Sequence, residues 1–273
     1  MASIRIERSL YNGKYQMVHN PNARGRTPRY LVNSEHKPKG VTTILGKTLY
    51  KDLIQWAANC VVDYLAPKLP VITEKDLEEG RTAYARLRDK GASTGSEAHE
   101  LVELYLKAKI EDKEFKPGTA SPEALNAFNA FVEWFNQAKP SIVGVEEVVY
   151  SESHKYAGTY DCMLEVDGKI FLCDLKTTNA SKQAPKGVYP EHFLQLGAYA
   201  LAHEEQRLYE EANGGTDLLK IDDLMVISAK KNGKLDIITA SELSLQVEEC
   251  GNMFKRVVNI HNFVEYASTK LGG

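Results

Sequence analysis

Residues 160–176 read YDCMLEVDGKIFLCDLK, and this stretch decides the fold. Asp167-Gly168 is a preferred pair for a two-residue type I′ turn, because both central positions need positive φ, and it separates two runs of β-forming residues. The stretch therefore predicts a β-hairpin. The turn fixes its register and with it three cross-strand pairs: Val166 with Lys169, Cys162 with Cys173, and Asp161 with Asp174.

Alternation of side chains along the two strands predicts what each face of the hairpin carries. One face is wholly apolar and belongs to the core; it carries Cys162, Leu164, Val166, Phe171, Cys173 and Leu175. The other face carries Asp161, Asp174 and Lys176. Opposed carboxylates about 5 Å apart repel each other in a structural sheet. A divalent cation between the two carboxylates turns their repulsion into a net attraction to the ion. Mg²⁺ bound by one or two carboxylates fits phosphodiester chemistry.

Lys176 follows Asp174 by two residues on the same predicted face. Its amine could orient or help deprotonate an attacking water, or stabilise charge in the transition state. A bare Asp-x-Lys pattern is usually a solvated strand end, since three-residue motifs occur freely by chance. The inference therefore depends on the second aspartate.

A helix is predicted from the capping-box pattern Thr94-x-x-Glu97 to about Lys109. His99 lies at the edge of its apolar stripe, and Glu103 lies one turn further on. A histidine at such a boundary is more often a core or rim residue than a ligand. Neutral imidazole nonetheless binds Mn²⁺ or Mg²⁺ beside carboxylates, so His99 is a candidate ligand with Glu103 in possible support.

Two further candidate positions lie in predicted regular structure. Gln195 and Tyr199 are four apart in a helix predicted from Pro190 to about Glu204, so they share a face. The plain alternative is a polar stripe that faces water. In a predicted strand, Glu147 alternates with apolar neighbours, and a buried carboxylate without a role is costly. Glu147 is therefore a possible supporting residue.

Three motifs together resemble the PD-(D/E)XK nuclease superfamily. They are Gly158-Thr159-Tyr160-Asp161, Asp174-Leu175-Lys176-Thr177 and Gln195-Leu196-Gly197-Ala198-Tyr199. The upstream pattern Gly95-x-x-x-His99-x-x-x-Glu103 is similar to the RecB-type branch, which includes phage and mitochondrial single-strand exonucleases. The matched motifs span residues 95–199.

The resemblance implies a restriction-endonuclease-like α/β core, with a central mixed sheet flanked by helices and an N-terminal helical region. It implies that one or two Mg²⁺ or Mn²⁺ ions are bound by His99, Asp161, Asp174 and the Leu175 carbonyl. It also implies that Lys176 is catalytic and that Gln195 and Tyr199 order the site. An iron–sulfur cluster, found in some RecB-type relatives, is not expected, because only Cys250 of the four cysteines lies near the C-terminus.

Composition bounds these expectations. With 273 residues and 43% hydrophobic content, residues 1–273 are expected to form a single nuclease domain, with 42–138 largely helical and 143–204 the catalytic core. The net charge of −3 restricts nucleic-acid contacts to local patches. The candidates, each more often plain solvated surface, are Arg24, Arg26, Arg86, Arg88, Lys182 and Lys186.

Other elements follow from turn and periodicity signals. Hairpins are predicted around Asn12-Gly13 and Asn232-Gly233, and a final helix over about 241–266. No apolar run is long enough to span a bilayer and no hydrophobic signal segment opens the chain. A soluble, intracellular protein is expected, in a bacterial or phage-infected cytoplasm or in the mitochondrial matrix.

The combined hypothesis is a metal-dependent DNA exonuclease that acts on ends or single strands in replication, recombination or repair. Its partner would be DNA, with no membrane association. One alternative is a catalytically silent module with a nuclease-like fold that binds nucleic acid or protein. Another is an endonuclease of the same superfamily.

Overall fold

The structure is a computed structural model that describes residues 5–23, 27–49, 53–178 and 185–271. Within these ranges the strands are β1 Ile6–Leu10, β2 Tyr15–His19, β3 Tyr30–Val32, β4 Lys39–Gly40, β5 Ser141–Ser151, β6 Tyr156–Val166, β7 Lys169–Thr178, β8 Asp223–Lys230 and β9 Leu235–Thr239. The α-helices are α1 Val41–Thr48, α2 Ile54–Leu65, α3 Glu74–Arg81, α4 Ala83–Ile110, α5 Pro122–Ala138, α6 Pro190–Ala212 and α7 Val247–Lys270.

A six-stranded mixed sheet forms the centre of the fold. β5 lies antiparallel along one edge of β6. The other edge of β6 pairs first with β4, in parallel, and then with β7, antiparallel. β8 continues the sheet parallel to β7, and β9 closes it antiparallel to β8. The predicted α/β class with a central mixed sheet is confirmed, and a separate three-stranded sheet is formed by β1, β2 and β3.

The hairpin of β6 and β7 has the predicted turn. Val166 pairs with Lys169 and the register continues to Cys162 and Cys173. The two turn residues have φ of 50° at Asp167 and 75° at Gly168, which a type I′ turn requires. The paired register ends at the two cysteines, so Asp161 lies one position beyond the last pair.

Helices cover both faces of the sheet. α4 and α5 pack on the face that carries Cys162 and Leu164, and that face is the apolar one predicted from the sequence. α1, α6 and α7 pack on the opposite face, where Met163 and Leu172 are buried. Gly197 lets α6 approach α7 closely, because a Cβ there would lie 2.4 Å from a backbone atom of the facing helix. Side chains near the strand ends can therefore meet groups from α4 on one face and from α6 on the other.

Several predicted boundaries are wrong. The helix that carries His99 begins at Ala83 rather than near Thr94, since the preceding residues already continue the helix. The buried Thr94 hydroxyl donates to the Lys90 carbonyl at 3.0 Å instead of capping an end. The last long helix begins at Val247, because 241–243 form a separate 3₁₀ turn. Both other predicted hairpins are present, and in each of them four residues separate the two strands.

Candidate active site

The candidate site lies at a gap along one edge of β6. On this edge, β4 pairs with Tyr156 and Ala157, whereas β7 pairs only from Cys162 onward. Residues 158–161 lie between these two pairings. Asp161 reaches across the gap, and its Oδ2 accepts a hydrogen bond of 2.6 Å from the backbone amide of Leu175.

Asp161 also contacts α4. Its Oδ1 lies 3.4 Å from His99 Nδ1. Strict alternation predicts Asp161 on the face of Asp174 and Lys176, and this detail is wrong. In a regular strand, side chains on one face are an even number of residues apart. Tyr160 and Met163 are three residues apart, yet both pack in the cluster on the α6 side, so the alternation is broken between them. Asp161 is thereby left to line a small cavity beside α4.

The charges of His99 and Asp161 stabilise each other. Burial alone would lower the pKa of His99, but the Asp161 carboxylate outweighs burial and the pKa is raised. Burial alone would raise the pKa of Asp161, but His99, Lys176 and the Leu175 amide hold it below its usual value. Asp161 is therefore an ionised acceptor fixed from two sides.

Asp174 and Lys176 form a buried pair on the α6 side. Asp174 is 2% exposed, and Lys176 Nζ lies 2.6 Å from each of its carboxylate oxygens. The ammonium donates its hydrogen bond to Oδ1, and the buried Oδ2 is in ion-pair contact with the same ammonium. Burial raises the pKa of Asp174 to about 6, with Lys176 opposing and the Asp161 charge adding to the effect. The two aspartates therefore feel each other's charge.

Gln195 and Tyr199 support this pair from α6. Gln195 Oε1 lies 3.4 Å from Lys176 Nζ, and Gln195 Nε2 donates to the Tyr199 hydroxyl at 2.9 Å. They share one helix face, as their spacing predicts. The Tyr199 ring packs on Gly158, where a Cβ would lie 2.3 Å from Cε1 of that ring. The glycine of the Gly-x-x-Asp motif is thus required for the packing of α6 on β6.

Glu146, which sequence reasoning missed, is the strand glutamate that lies in the site. It lines a cavity of about 10 Å³ together with His99, Glu103 and Asp161, a space for about one water molecule or small ion. Burial raises the pKa of Glu146 to about 8, and the charges of Asp161 and Glu103 contribute.

The expectation of a buried Glu147 is wrong. Its side chain is 43% exposed and lies 3.6 Å from Arg8 Nε. The cause is local, since Glu146 has a φ of 52° and interrupts the alternation on which the expectation rested. The signal in the sequence was the pair Glu146-Glu147 in a predicted strand. Strict alternation of side chains assigned Glu147, and not Glu146, to the buried face.

Comparison with known proteins shows the family of this chain. The sequence profile of the PD-(D/E)XK nuclease superfamily matches residues 74–260. The chain belongs to the PD-(D/E)XK nuclease superfamily. A solved alkaline exonuclease from Laribacter hongkongensis is similar at 10% identity and a TM-score of 0.25, over 80% of this chain and 99% of that chain. No curated protein matches the sequence.

A divalent cation, which PD-(D/E)XK nucleases generally use, fits the donors of this site. Within the described ranges, no three His, Cys, Asp or Glu side chains are arranged to enclose an ion by themselves. Mg²⁺ does not need such an enclosure, because it keeps several waters and takes one or two carboxylates plus substrate oxygen. The suitable ligands are the carboxylates of Asp174, whose buried Oδ2 is in ion-pair contact with Lys176, and of Asp161, whose charge acts on Asp174.

A cleft of about 600 Å³ opens on Lys176 in this member of the PD-(D/E)XK nuclease superfamily. Its walls come from α1 and α6 and include Thr42, Leu45, Lys47, Glu191, His192 and Gln195. The contribution of α1 was not predicted, because its residues are brought here by the pairing of β4 with β6. The cleft has the size of a small-molecule site, and of the buried pair Lys176 lines it.

Of the six predicted DNA-contacting residues, the structure describes Arg86, Arg88 and Lys186. Arg24, Arg26 and Lys182 lie outside the described residues. On α4, Arg86 lies over the Tyr64 ring at 5.2 Å, and Arg88 pairs with Asp89. Both precede His99 by three or more helical turns. Lys186 is exposed, and its carbonyl accepts a hydrogen bond from Ser228.

In the described part of the chain no helix is long and apolar enough to cross a membrane.

Proposed function

We propose that this chain is a metal-dependent deoxyribonuclease that hydrolyses phosphodiester bonds at DNA ends or in single strands. The observation that carries the proposal is that Asp161, fixed by the Leu175 amide, and Asp174, paired with Lys176, lie close enough for their charges to act on each other. Lys176 also lines a cleft. We propose further that residues 1–273 form one nuclease domain, with its catalytic core in 143–204, and that the site belongs to the RecB-type branch.

Asp161, Asp174 and the Leu175 carbonyl would hold one or two Mg²⁺ or Mn²⁺ ions, with His99 and Glu146 on the α4 side. When bound, the ion activates water and neutralises charge on the reacting phosphate. The Lys176 ammonium is placed to donate a hydrogen bond to a phosphate oxygen and to stabilise developing negative charge. Gln195 positions that ammonium, and Tyr199 positions Gln195.

The first experiment is digestion of end-labelled DNA in Mg²⁺ or Mn²⁺ by the wild type, Asp174→Asn and Lys176→Met. Removal of either group is expected to slow digestion by about 100-fold or more, as loss of a preorganised electrostatic group does. The same hairpin supplies matched controls. Asp167→Asn keeps a good type I′ turn and Lys169→Met lies at the exposed turn, so both should digest DNA like the wild type.

Digestion by Asp174→Asn and Lys176→Met at the wild-type rate would refute the assignment. Covalently closed circular single-stranded DNA then separates the two kinds of nuclease, since only an endonuclease can cut a substrate without ends. An exonuclease leaves the circle intact. If no variant or wild type cuts any DNA and no Mn²⁺ binding is detected by calorimetry, the chain is a silent binding module with this fold.

A further inference from the structure

A second cavity, of about 360 Å³, lies between the β5–β6 turn, the chain before β4, and α7. Three lysines line it, Lys37, Lys39 and Lys155, together with amide side chains from Asn259 and Asn262. Among the described residues that line it, none is acidic. The cavity therefore offers ammonium and amide donors without a carboxylate on its wall.

The nearest carboxylates leave part of this charge uncompensated. Glu265 on α7 contacts Lys39 and therefore neutralises one of the three lysines. Glu205 accepts hydrogen bonds from Ser151 and Ser153 instead of contacting the lysines. Lys37 and Lys155 are exposed and make no ion pair within 4 Å in the described part of the chain. Glu152 lies in the same turn as Lys155 and interacts with its charge, but it forms its ion pair with Lys14 at 2.8 Å. Lys37 and Lys155 therefore remain at the mouth of the cavity without an ion-pair partner among the described residues.

The cationic cavity lies next to the active-site cleft. Lys47 lines the cleft beside Lys176, and Lys39 lines the cationic cavity. Glu265 contacts Lys39 and lies 3.6 Å from Lys47 Nζ, so one carboxylate separates the two spaces. Along β6, Asp161 lies five residues from Tyr156, the partner of Lys39. At about 3.3 Å per residue this is roughly 16 Å, within reach of the next few phosphates of a strand.

We propose that the cavity lined by Lys37 and Lys155 binds a phosphate group of the nucleic-acid strand whose cleavage occurs at Lys176. Ammonium groups bind phosphate as point charges, and the two asparagine amides can add hydrogen bonds. The proposal deepens the nuclease assignment and rests on it for the identity of the strand. The anion is a terminal phosphate monoester or an internal phosphodiester, which share this chemistry.

The test is binding of a short fluorescent single-stranded oligonucleotide in EDTA, measured by anisotropy over a range of salt. The double variant Lys37→Gln/Lys155→Gln is expected to bind about tenfold more weakly, with a salt slope lower by about 0.7 per lost contact. Lys37→Arg/Lys155→Arg keeps both charges and should bind like the wild type. Lys169→Gln, an exposed lysine at the far end of the hairpin, should also bind like the wild type.

Oligonucleotides with a 5′-phosphate, a 3′-phosphate or hydroxyl ends distinguish the two sources of phosphate. A loss confined to one phosphorylated end identifies a terminal monoester. An equal loss for all three identifies an internal phosphodiester. Wild-type affinity and salt slope in the double glutamine variant would overturn the proposal, as would an equal loss in Lys169→Gln.

Hydrolysis of bis(p-nitrophenyl) phosphate keeps this test separate from the nuclease assignment, because that small diester cannot span the two cavities. The double glutamine variant should hydrolyse it at the wild-type rate. A variant that loses this hydrolysis would show that the lysines act in the active site, and the remote phosphate site would be rejected. If wild type and variant alike fail to digest DNA as well as this diester while only the variant loses oligonucleotide binding, the phosphate site stands and the nuclease assignment fails.

Discussion

Asp161 Oδ2 and the amide of Leu175 are joined by a hydrogen bond of 2.6 Å across the gap between β6 and β7. That amide belongs to the peptide that links Asp174 to Leu175. The two aspartates are therefore held at one place although they do not form a pair of the β-ladder. A backbone donor fixes one carboxylate, while Lys176 fixes the other.

This contact predicts the effect of Asp161→Asn. The amide oxygen can still accept from Leu175, so the fold should be kept, whereas the negative charge is lost. We expect Mn²⁺ affinity to fall by at least about tenfold in calorimetry, since Mn²⁺ and Mg²⁺ sites depend on charged oxygen ligands. Asp222→Asn is the matched control, because Asp222 Oδ2 also accepts from a backbone amide, that of Ile170 at 2.9 Å. Unchanged Mn²⁺ binding in Asp161→Asn would contradict the ligand role.

The hairpin was predictable because its determinants are local. Asp167-Gly168 selects the turn, and the turn sets the register to Cys162 and Cys173. The end of that register was not predictable, because β4 occupies the same edge of β6 from a distant part of the chain. The same non-local pairing brings α1 to the cleft. The motif residues could thus be identified from the sequence. The gap between the pairings of β6 with β4 and with β7, beside which these residues lie, could not be predicted.

The error at Glu147 has a different origin. A strand with strict period two puts Glu147 with Val145, but one left-handed residue changes the assignment of the face. Nothing in the acidic pair itself reveals which residue adopts positive φ. The start of α4 was also predicted wrongly from a local pattern. The capping pattern at Thr94 lies inside a longer helix, and the pattern alone does not show that the helix already began upstream.

Glu146 and Glu147 form a natural matched pair for mutation. Glu146→Gln is expected to reduce DNA digestion and Mn²⁺ affinity, because it removes a carboxylate that faces Asp161. It should also raise the free energy of unfolding without metal at pH 7.5, since burial makes the ionised form unfavourable in the folded state. Glu147→Gln should change unfolding by no more than about 0.5 kcal/mol. Denaturant titration and a digestion assay measure both; equal effects of the two substitutions would disprove the placement of Glu146.

Gly158→Ala tests how α6 is seated on β6. A Cβ at this position would lie 2.3 Å from the Tyr199 ring, so the ring or the strand must shift. Overpacking of this kind costs about 1–3 kcal/mol and should displace Gln195 from Lys176. Gly95→Ala is the control, because a Cβ there has nothing within 4 Å and lies in a helix. That change should stabilise the protein by about 0.5–1 kcal/mol. Thermal unfolding that ranks the two variants in the opposite order would contradict this packing.

His19 gives a prediction for stability against pH that is independent of the active site. It is 2% exposed, stacks on Tyr30 with ring centroids 4.9 Å apart, and neither ring nitrogen has a hydrogen-bond partner. Burial, with the charge of Arg29, lowers its pKa to about 4. Between about pH 6.5 and 4 the unfolded chain therefore binds the proton more readily, so the free energy of unfolding falls as pH falls through this window.

The substitution His19→Phe keeps the stacked ring and removes the titrating group. The wild type should lose on the order of 1 to 2 kcal/mol more than this variant between pH 7.5 and pH 5, in urea titrations at each pH. All other titrating groups are common to both proteins, so the difference between the two curves isolates this histidine. Parallel curves would mean that His19 is protonated in the folded protein or exposed to water, and would exclude the buried, unpartnered imidazole beneath Tyr30.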